Sequence, residues 1–459
     1  MPELLDAALV KILHKDKQIL EQTKLPIVTV SATFREDLKK FYGFPDNDST
    51  PDVVFSRAHY SMTLGIALTA WQDSKKSAGS GPKKRLSQIS VNQQVAWAVD
   101  PTNYVSHQDW LPISISQTVG ETLARHSLLK LFKDVIDKFG RQKLPIIDSI
   151  TPPLLYLTQR IQQPILSMHI AAGNVLASQG KTVLQVITDP HVRYDYLVHA
   201  EKPNFFYCVF DENTKLELLE KAQIADMQVN PNRIFVTGPP IDPRVVAVRT
   251  KKRAWRSGPL KLCITTGGLG TNKEEIGLLL QNLLPELRKK DTQLQLLVYA
   301  ATHDDISDLV RDIAKQNRVA VGELDDTHAK LRILYHPQIV DANELLVRYG
   351  FPWAHGFVTK PSGDMAYDAA AAGCFILTLA EWGEWEHRIR EIFEQKGISR
   401  KANVEEIVPQ LNVLRAARGG QSWVEQAMLA ALSLEELFLG GSESIIETYR
   451  KIEKIGREV

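Results

Sequence analysis

The amino-acid sequence predicts an α/β fold made of two domains. Short β-branched runs ending in turn residues alternate with segments of helical period, which is typical of parallel sheets covered by helices on both faces. The chain has 459 residues, a length that favours two domains over one. A proline-rich, basic stretch near the middle of the chain indicates where they are joined.

The predicted strands occur on both sides of that stretch. In the first half they are residues 27–30, 53–55, 95–99, 165–168, 183–187, 205–209 and 234–236, and in the second half 260–264, 294–299, 332–335, 356–358 and 374–379. The helix-period segments between them include 121–138, 214–222, 272–289 and 304–316. Because the strands are apolar throughout, we expect both faces of each sheet to be buried.

Composition divides the chain into five segments. Residues 1–50 form an N-terminal extension or edge unit, 51–240 the first domain and 260–415 the second. Residues 241–259 form the linker, because its prolines block regular pairing and its basic residues favour solvent. The basic run of this linker consists of Arg249, Lys251, Lys252, Arg253 and Arg256. Residues 416–459 are predicted to be helical and to pack back on the first domain.

The composition argues against several classes of protein. Lysine plus arginine, 55, nearly balances aspartate plus glutamate, 54, which argues against a nucleic-acid partner. Neither a transmembrane run nor a secretory leader is indicated, so we expect a cytoplasmic protein. The three cysteines, Cys208, Cys263 and Cys374, lie in apolar runs without CxxC spacing. They are expected to be reduced core residues, and no metal site is expected.

The most informative motif spans residues 359–373, where a strand end, a Pro-Ser-Gly turn and an alanine-rich helix follow one another. Backbone N–H groups at the start of that helix can bind an anion such as a pyrophosphate. One turn later, Asp368 can accept hydrogen bonds from ribose hydroxyls. Ordinary packing of a helix after a glycine turn is the competing interpretation. The candidate donor-binding residues of this motif are Lys360, Ser362, Gly363, Asp364 and Asp368.

A second glycine-rich turn precedes the helix predicted at 272–289. Its glycines permit positive φ angles and close approach of the backbone to a phosphate. A simple helix cap is the alternative. The candidate phosphate contacts are Thr266, Gly267, Gly268 and Gly270.

With these two turns, residues 53–59, 186–209 and 233–240 resemble the GT-B glycosyltransferases. The resemblance is to the branch that holds the peptidoglycan lipid-intermediate N-acetylglucosaminyltransferase and the diacylglycerol glycosyltransferases, and it covers roughly residues 50–410. It implies that the α/β fold consists of two Rossmann-like domains that face each other across a cleft. It implies metal-independent transfer, with inversion, of a sugar from a nucleoside-diphosphate donor, with UDP-sugar as co-substrate and no further cofactor. It also implies an acceptor hydroxyl bound by the first domain, and leaves open whether the acceptor is a membrane lipid.

Several positions depart from the family pattern. Arg57 and Ala58 stand where the family has a glycine-rich loop, and Asp368 replaces a glutamate while keeping a carboxylate. The Gly-x-Pro of the family becomes residues 373–375, and residues 381–386 replace a glutamine-containing loop that holds the donor sugar. The identity of the sugar is therefore open.

Two residues lead the candidates for the catalytic base, ahead of His169, His191 and His199. His59 is the first, because an ordinary imidazole pKa near 6.5 suits proton abstraction and the residue follows a predicted strand. Asp189, at the end of the strand predicted at 183–187, is the second. Glu384 and Glu386, in a loop with two tryptophans, are candidates to hold sugar hydroxyls, with an exposed loop as the alternative.

Membrane contact is a further expectation with a simpler alternative. The basic runs at 73–85 and 249–256 are compatible with an anionic membrane surface, although solvated loops are the simpler interpretation. The apolar stretches 110–113 and 152–157 would suit a lipid acceptor, with burial in the core as the alternative.

Two other functions remain open at this point. A UDP-N-acetylglucosamine 2-epimerase-like enzyme would have the same architecture and need no acceptor. A nucleotide-sugar-binding or scaffold protein without catalysis is favoured by the altered residues near His59 and at 381–386.

Overall fold

The computed structural model of the chain describes residues 6–44, 51–76, 91–105, 145–417 and 419–458. Two six-stranded parallel sheets organise these residues, which confirms the predicted α/β fold. The first has the strand order β2-β1-β3-β4-β5-β6 and the second the order β12-β11-β10-β7-β8-β9.

The strands of the first sheet are β1 (Leu25–Val28), β2 (Ala96–Val99), β3 (Ile165–Ser167), β4 (Val183–Val186), β5 (Phe205–Val209) and β6 (Ile234–Val236). Those of the second are β7 (Leu260–Thr265), β8 (Leu294–Ala301), β9 (Leu331–Tyr335), β10 (Gly356–Thr359), β11 (Phe375–Thr378) and β12 (Ser399–Lys401). Inner strands are apolar on both faces, and all eight residues of β8 are buried, as expected for parallel sheets covered on both sides.

Helices cover both sheets. In chain order they are α1 (Ala7–Gln22), α2 (Arg35–Phe41), α3 (Arg57–Lys76), α4 (Pro145–Thr158), α5 (Ile170–Ser178), α6 (Glu212–Ile224), α7 (Pro243–Val248), α8 (Lys273–Leu287), α9 (Asp304–Gln316), α10 (Ile339–Leu345), α11 (Met365–Ala371), α12 (Glu384–Gln395), α13 (Ile407–Arg415), α14 (Trp423–Leu432) and α15 (Gly441–Glu458). A π-helical turn, Leu346–Gly350, and a short helical turn, Phe351–Trp353, follow α10.

The N-terminal segment differs from the expectation of an extension or edge unit. Its strand β1 pairs with β2 on one side and β3 on the other, and all four residues are buried. Residues 1–50 therefore supply an inner strand of the first sheet. The strand predicted at 53–55 is reduced to a single antiparallel bridge between Ala32 and Val54, because β1 already occupies the inner position.

The linker is more ordered than its prolines and charges predict. Asp242 caps α7, accepting a hydrogen bond from the backbone N–H of Arg244 at 2.8 Å. Arg249 donates to the carbonyl oxygens of Ala371 at 3.1 Å and Leu432 at 2.6 Å. Arg249 is therefore bound to the second domain and is not a free, solvated charge.

The two domains share buried surface. Phe210, after β5, packs edge-on against Tyr367 of α11, with ring centroids 5.3 Å apart. The last helix, α15, packs against α3, and its Tyr449 hydroxyl donates to the carbonyls of Lys24 at 3.0 Å and Pro164 at 2.8 Å. The C-terminal helix thus belongs to the first domain by packing.

Several predictions concern segments with little or no structural description. The helix at 121–138 and the apolar stretch 110–113 lie outside the described residues, as does the basic run 73–85 beyond residue 76. The stretch 152–157 is part of α4, where Leu154 and Leu157 are fully buried, so much of it belongs to the core. Within the described ranges, no helix combines the length and the apolar character needed to cross a bilayer.

Candidate functional site

The carboxyl edges of the two sheets face each other, and glycines set their separation. A Cβ at Gly268, after β7, would lie 2.9 Å from the backbone nitrogen of Arg57 at the start of α3. A Cβ at Gly363, after β10, would lie 2.5 Å from Oδ1 of Asp189. Real Cβ atoms do not approach neighbours that closely, so the loops of the two domains meet only because these positions are glycine.

Arg57 joins the first domain to the helix of the 359–373 motif. Its side chain is 4% exposed, and its Nη1 donates to Asp364 at 2.5 Å. Its Nη2 donates to Oδ1 of Asn343 at 3.1 Å and lies 3.7 Å from Oδ2 of Asp368. A buried guanidinium from one domain therefore lies between two carboxyl groups of the other.

The two carboxylates respond differently to this environment. Burial opposes ionisation of Asp364, but Arg57 and the Ser362 hydroxyl outweigh it and lower the pKa of Asp364. At Asp368 burial prevails and raises the pKa to about 8, because Arg57 is farther away and the charge of Asp364 adds repulsion. Near neutral pH, Asp364 is the counterion of Arg57, and Asp368 is largely protonated and only loosely engaged.

His59 lies in the first turn of α3, not directly after a strand, yet it still reaches the carboxyl edge of the first sheet. Its Nδ1 is 3.3 Å from the Val30 carbonyl, which can only accept, so Nδ1 carries the proton and Nε2 accepts from Thr188 Oγ1 at 3.1 Å. Burial lowers the pKa of His59 to about 4, with a further contribution from Arg193. The His169 ring packs edge-on against it, 5.0 Å between centroids.

Asp189 follows β4 and lies at the contact with the second domain. Burial raises the pKa of Asp189 to about 6, although Arg193 acts in the opposite direction. The pKa of Asp189 is thus closer than the pKa of His59 to the value that suits a general base near neutral pH.

The glycine-rich turn after β7 has the backbone expected of a phosphate loop. Gly270 and Asn272 both have positive φ, 65° and 64°, and α8 begins immediately afterwards. Thr266 Oγ1 donates to the Thr271 carbonyl at 3.2 Å, which closes the loop. A Cβ at Gly267 would meet Cε of Lys360 at 2.9 Å, so the two predicted donor-binding segments lie side by side.

Lys360 is held by Glu386, one of the two glutamates considered as partners of sugar hydroxyls. Glu386 is fully buried and lies 2.6 Å from Lys360 Nζ, and it also accepts the backbone N–H of Trp382 at 2.6 Å. Glu384 is exposed in the first turn of α12. Helical geometry explains the difference, since side chains two positions apart point to different faces.

Sequence reasoning did not assign roles to Arg57, Arg193 and Thr188. Arg57 was noted only as a departure from a glycine-rich loop, and its partners lie about 300 positions away in the chain. Arg193 belongs to no recognisable motif. Its position soon after the end of a predicted strand is the signal that could have identified it as a site residue. Among the described residues, no group of three or more His, Cys, Asp or Glu side chains could hold a metal ion.

No family model matches the chain, and no curated protein matches it by sequence. Similar solved structures include the UDP-GlcNAc 2-epimerase of Neisseria meningitidis bound to UDP-GlcNAc, at 11% identity over 93% of this chain and 100% of that chain, with a TM-score of 0.49. MurG of Acinetobacter baumannii is 11% identical over 94% and 99%, with a TM-score of 0.44. UGT71G1 of Medicago truncatula complexed with UDP-glucose is 10% identical over 94% and 99%, with a TM-score of 0.47.

Each of these three matches has a TM-score below 0.5. The α/β fold of this chain is defined by its own two six-stranded parallel sheets.

Proposed function

We propose that this protein is a glycosyltransferase that moves a sugar from a nucleoside-diphosphate donor, a UDP-sugar, to an acceptor hydroxyl with inversion. One observation carries the proposal: ionisable groups of both domains, Asp189 from the first and Asp368 and Lys360 from the second, converge where the carboxyl edges of two parallel sheets meet. Ligands of open α/β sheets bind at that edge, and perturbed pKa values in a cleft indicate functional sites.

The donor is assigned to the second domain. The glycine-rich loop at 266–270 would meet the diphosphate with backbone N–H groups and the N-terminus of α8, with Lys360 adjacent. Asp368 would bind the ribose hydroxyls. Its separation from Arg57 is 3.7 Å, against 2.5 Å for Asp364, so Asp368 is the less tightly paired of these two buried carboxyl groups.

Asp189 is the proposed base, and neutral His59 the residue that positions Thr188 beside it. An acceptor hydroxyl bound by the first domain would transfer its proton to Asp189 as its oxygen attacks the sugar carbon. The bond from that carbon to the diphosphate oxygen breaks, and the nucleoside diphosphate leaves with both bonding electrons. A single displacement of this kind inverts the configuration at the sugar carbon.

Nucleotide titration tests the donor assignment. Calorimetry with UDP, GDP, ADP and dTDP, without divalent metal, is expected to show selective binding of UDP. Asp368→Ala should weaken UDP binding roughly tenfold or more, the effect of losing hydrogen bonds to the ribose. Asp312→Ala removes an exposed carboxylate of α9 and is the matched control, with unchanged affinity. Equal UDP affinity in wild type and Asp368→Ala would refute the donor site.

Product analysis separates transfer from its alternatives. In an acceptor panel that includes lipids, sugar transfer to one of the lipids would support a lipid acceptor. Binding of the protein to vesicles would support peripheral membrane contact. Conversion of the UDP-sugar without any acceptor would indicate epimerase activity.

A second candidate function is nucleotide-sugar binding without catalysis. It is favoured by Arg57, whose side chain occupies the space between the domains that a glycine-rich loop would leave open. UDP binding without turnover on every acceptor and without epimerisation would support it.

A further inference from the structure

A basic cavity lies at the opposite edge of the second sheet from the candidate site. It has a volume of about 530 Å³, within the range of small-molecule sites. Lys261 at the start of β7 lines it, as does His355, which directly precedes β10. The five residues from Lys261 to Thr266 place the cavity roughly 16 Å from the glycine-rich loop, at about 3.3 Å per residue.

Every ionisable side chain that lines the cavity within the described residues is basic. They are Arg244, Lys251, Lys252, Arg253, Lys261 and His355. The basic run of the linker, which the candidate site leaves unused, thus forms one wall. A concave surface lined by charges of one sign concentrates its field and attracts the opposite charge.

Two of these cations are already compensated. Arg244 is paired with Asp242 at 2.7 Å and with Glu344 at 2.8 Å. Lys252 Nζ donates to the carbonyls of Phe351 at 2.6 Å and Ala354 at 2.7 Å.

His355 is neutral at pH 7, because its pKa is lowered to about 4. The other three, Lys251, Arg253 and Lys261, have no acidic partner in the described part of the chain, and Lys251 and Arg253 are exposed to solvent. Burial lowers the pKa of Lys261, and the charges of Arg332 and Lys252 lower it further. The Nζ of Lys261 lies 5.8 Å from the centre of the Trp353 ring. The cavity therefore holds cations that face water or an aromatic ring and no carboxylate of the described residues, which leaves them available to an anion.

Hydrogen-bond donors also lack acceptors at this position. Trp353 lines the cavity, and its buried Nε1–H has no partner among the described residues. The backbone N–H of Lys261 donates to Nδ1 of His355 at 3.2 Å, so the proton of the neutral His355 ring is on Nε2, where it can be donated. Trp353 Nε1 is buried from solvent, so the donor assigned to a ligand in the cavity is the Nε2–H of His355.

We propose that this cavity, between the linker and the amino edge of the second sheet, binds a phosphate-bearing ligand. Three cations without an acidic partner among the described residues exceed what one carboxylate would neutralise, whereas a phosphate monoester carries close to two negative charges at neutral pH and offers three acceptor oxygens. The phosphate belongs either to a soluble phosphorylated molecule or to a lipid headgroup. The site is independent of the proposed transferase activity.

The His355 imidazole is the reporter for the test. Burial lowers the pKa of His355 to about 4, together with the charges of Lys261 and Lys252, so a bound anion should raise it. We expect pyrophosphate to shift the His355 resonance saturably in NMR, with the signal assigned through His355→Gln. Lys251→Gln combined with Arg253→Gln should weaken that binding roughly tenfold or more, as the loss of charge-assisted contacts implies.

Arg256→Gln is the control, because Arg256 belongs to the same linker, is 80% exposed and pairs with Glu425 outside the cavity. It should leave the His355 response unchanged. Absence of a saturable shift in the wild type, or the same affinity in the double variant and the wild type, would overturn the proposal.

Vesicles distinguish the two sources of phosphate. Sedimentation with phosphatidylcholine vesicles that contain phosphatidic acid, lost in the double variant and retained in Arg256→Gln, assigns a lipid headgroup. A pyrophosphate response without such sedimentation assigns a soluble ligand. UDP affinity should be equal in the double variant and the wild type, which separates this site from the donor site.

Discussion

Breaking the ion pair between Arg57 and Asp364 should destabilise the protein strongly, because the pair is buried and joins the two domains. Both residues are at most 6% exposed, with 2.5 Å between Nη1 and Oδ2. Removing one partner of such a pair costs about 3–5 kcal/mol. The second carboxylate, Asp368 at 3.7 Å, can partly replace Asp364, so we expect about 3 kcal/mol for Asp364→Asn.

A double-mutant cycle isolates the interaction. Arg57→Met alone leaves Asp364 buried without its counterion and should cost about 3–5 kcal/mol. The double variant should cost about 2–3 kcal/mol less than the sum of the two single variants, because each single change already removes the same contact.

Urea unfolding, followed by tryptophan fluorescence at pH 7, measures these differences. Arg256→Gln breaks an exposed pair and should cost less than about 1 kcal/mol. Additive single variants, or single variants as mild as Arg256→Gln, would show that Arg57 does not bind the domains together.

Two further predictions concern the same contact region. Since the pKa of Asp368 is raised from 3.8 to about 8, its contribution favours the folded state at low pH and is lost as the pH rises from about 4 to 8. The free energy of unfolding, measured against pH, should therefore decline less steeply in this window for Asp368→Asn than for wild type. Equal slopes would contradict the raised pKa of Asp368. Gly363→Ala would place a Cβ 2.5 Å from Asp189 Oδ1, and it should reduce the rate of sugar transfer roughly tenfold or more, as expected for misplacement at a reacting centre. Its circular dichroism spectrum should match that of the wild type. Gly277→Ala is the control, because its Cβ would meet only ordinary contacts, and it should keep full activity.

The strands were the most predictable part of the fold. The runs predicted at 183–187 and 205–209 coincide with β4 and β5 within one residue, because buried parallel strands appear as continuous apolar runs. The position of β1 in the sheet was not predictable, since strand order depends on pairing partners distant in the chain. The run at 53–55 has strand-like residues, but β1 already occupies the inner position of the sheet.

The candidate site was predictable in its loops and not in its contacts. The turns around Gly268 and Gly363 were predictable, because the preference of glycine, proline and serine for turns depends only on the local backbone. The ion pair between Arg57 and Asp364 spans 307 positions and arises only when two domains meet. Distinguishing Glu386 from Glu384 required the start of α12, and helix boundaries are the least predictable feature of a sequence.

The return of α15 to the first domain has a consequence for synthesis on the ribosome. Its Ile445, Ile446 and Tyr449 are at most 3% exposed, and Tyr449 bonds to Lys24, 425 positions earlier. Roughly 200 residues separate α15 from the linker, and at about 5–20 residues per second they take on the order of 10–40 s to translate. During that time the part of the first domain that α15 covers stays exposed. The domain whose synthesis begins first is therefore the last to complete its fold.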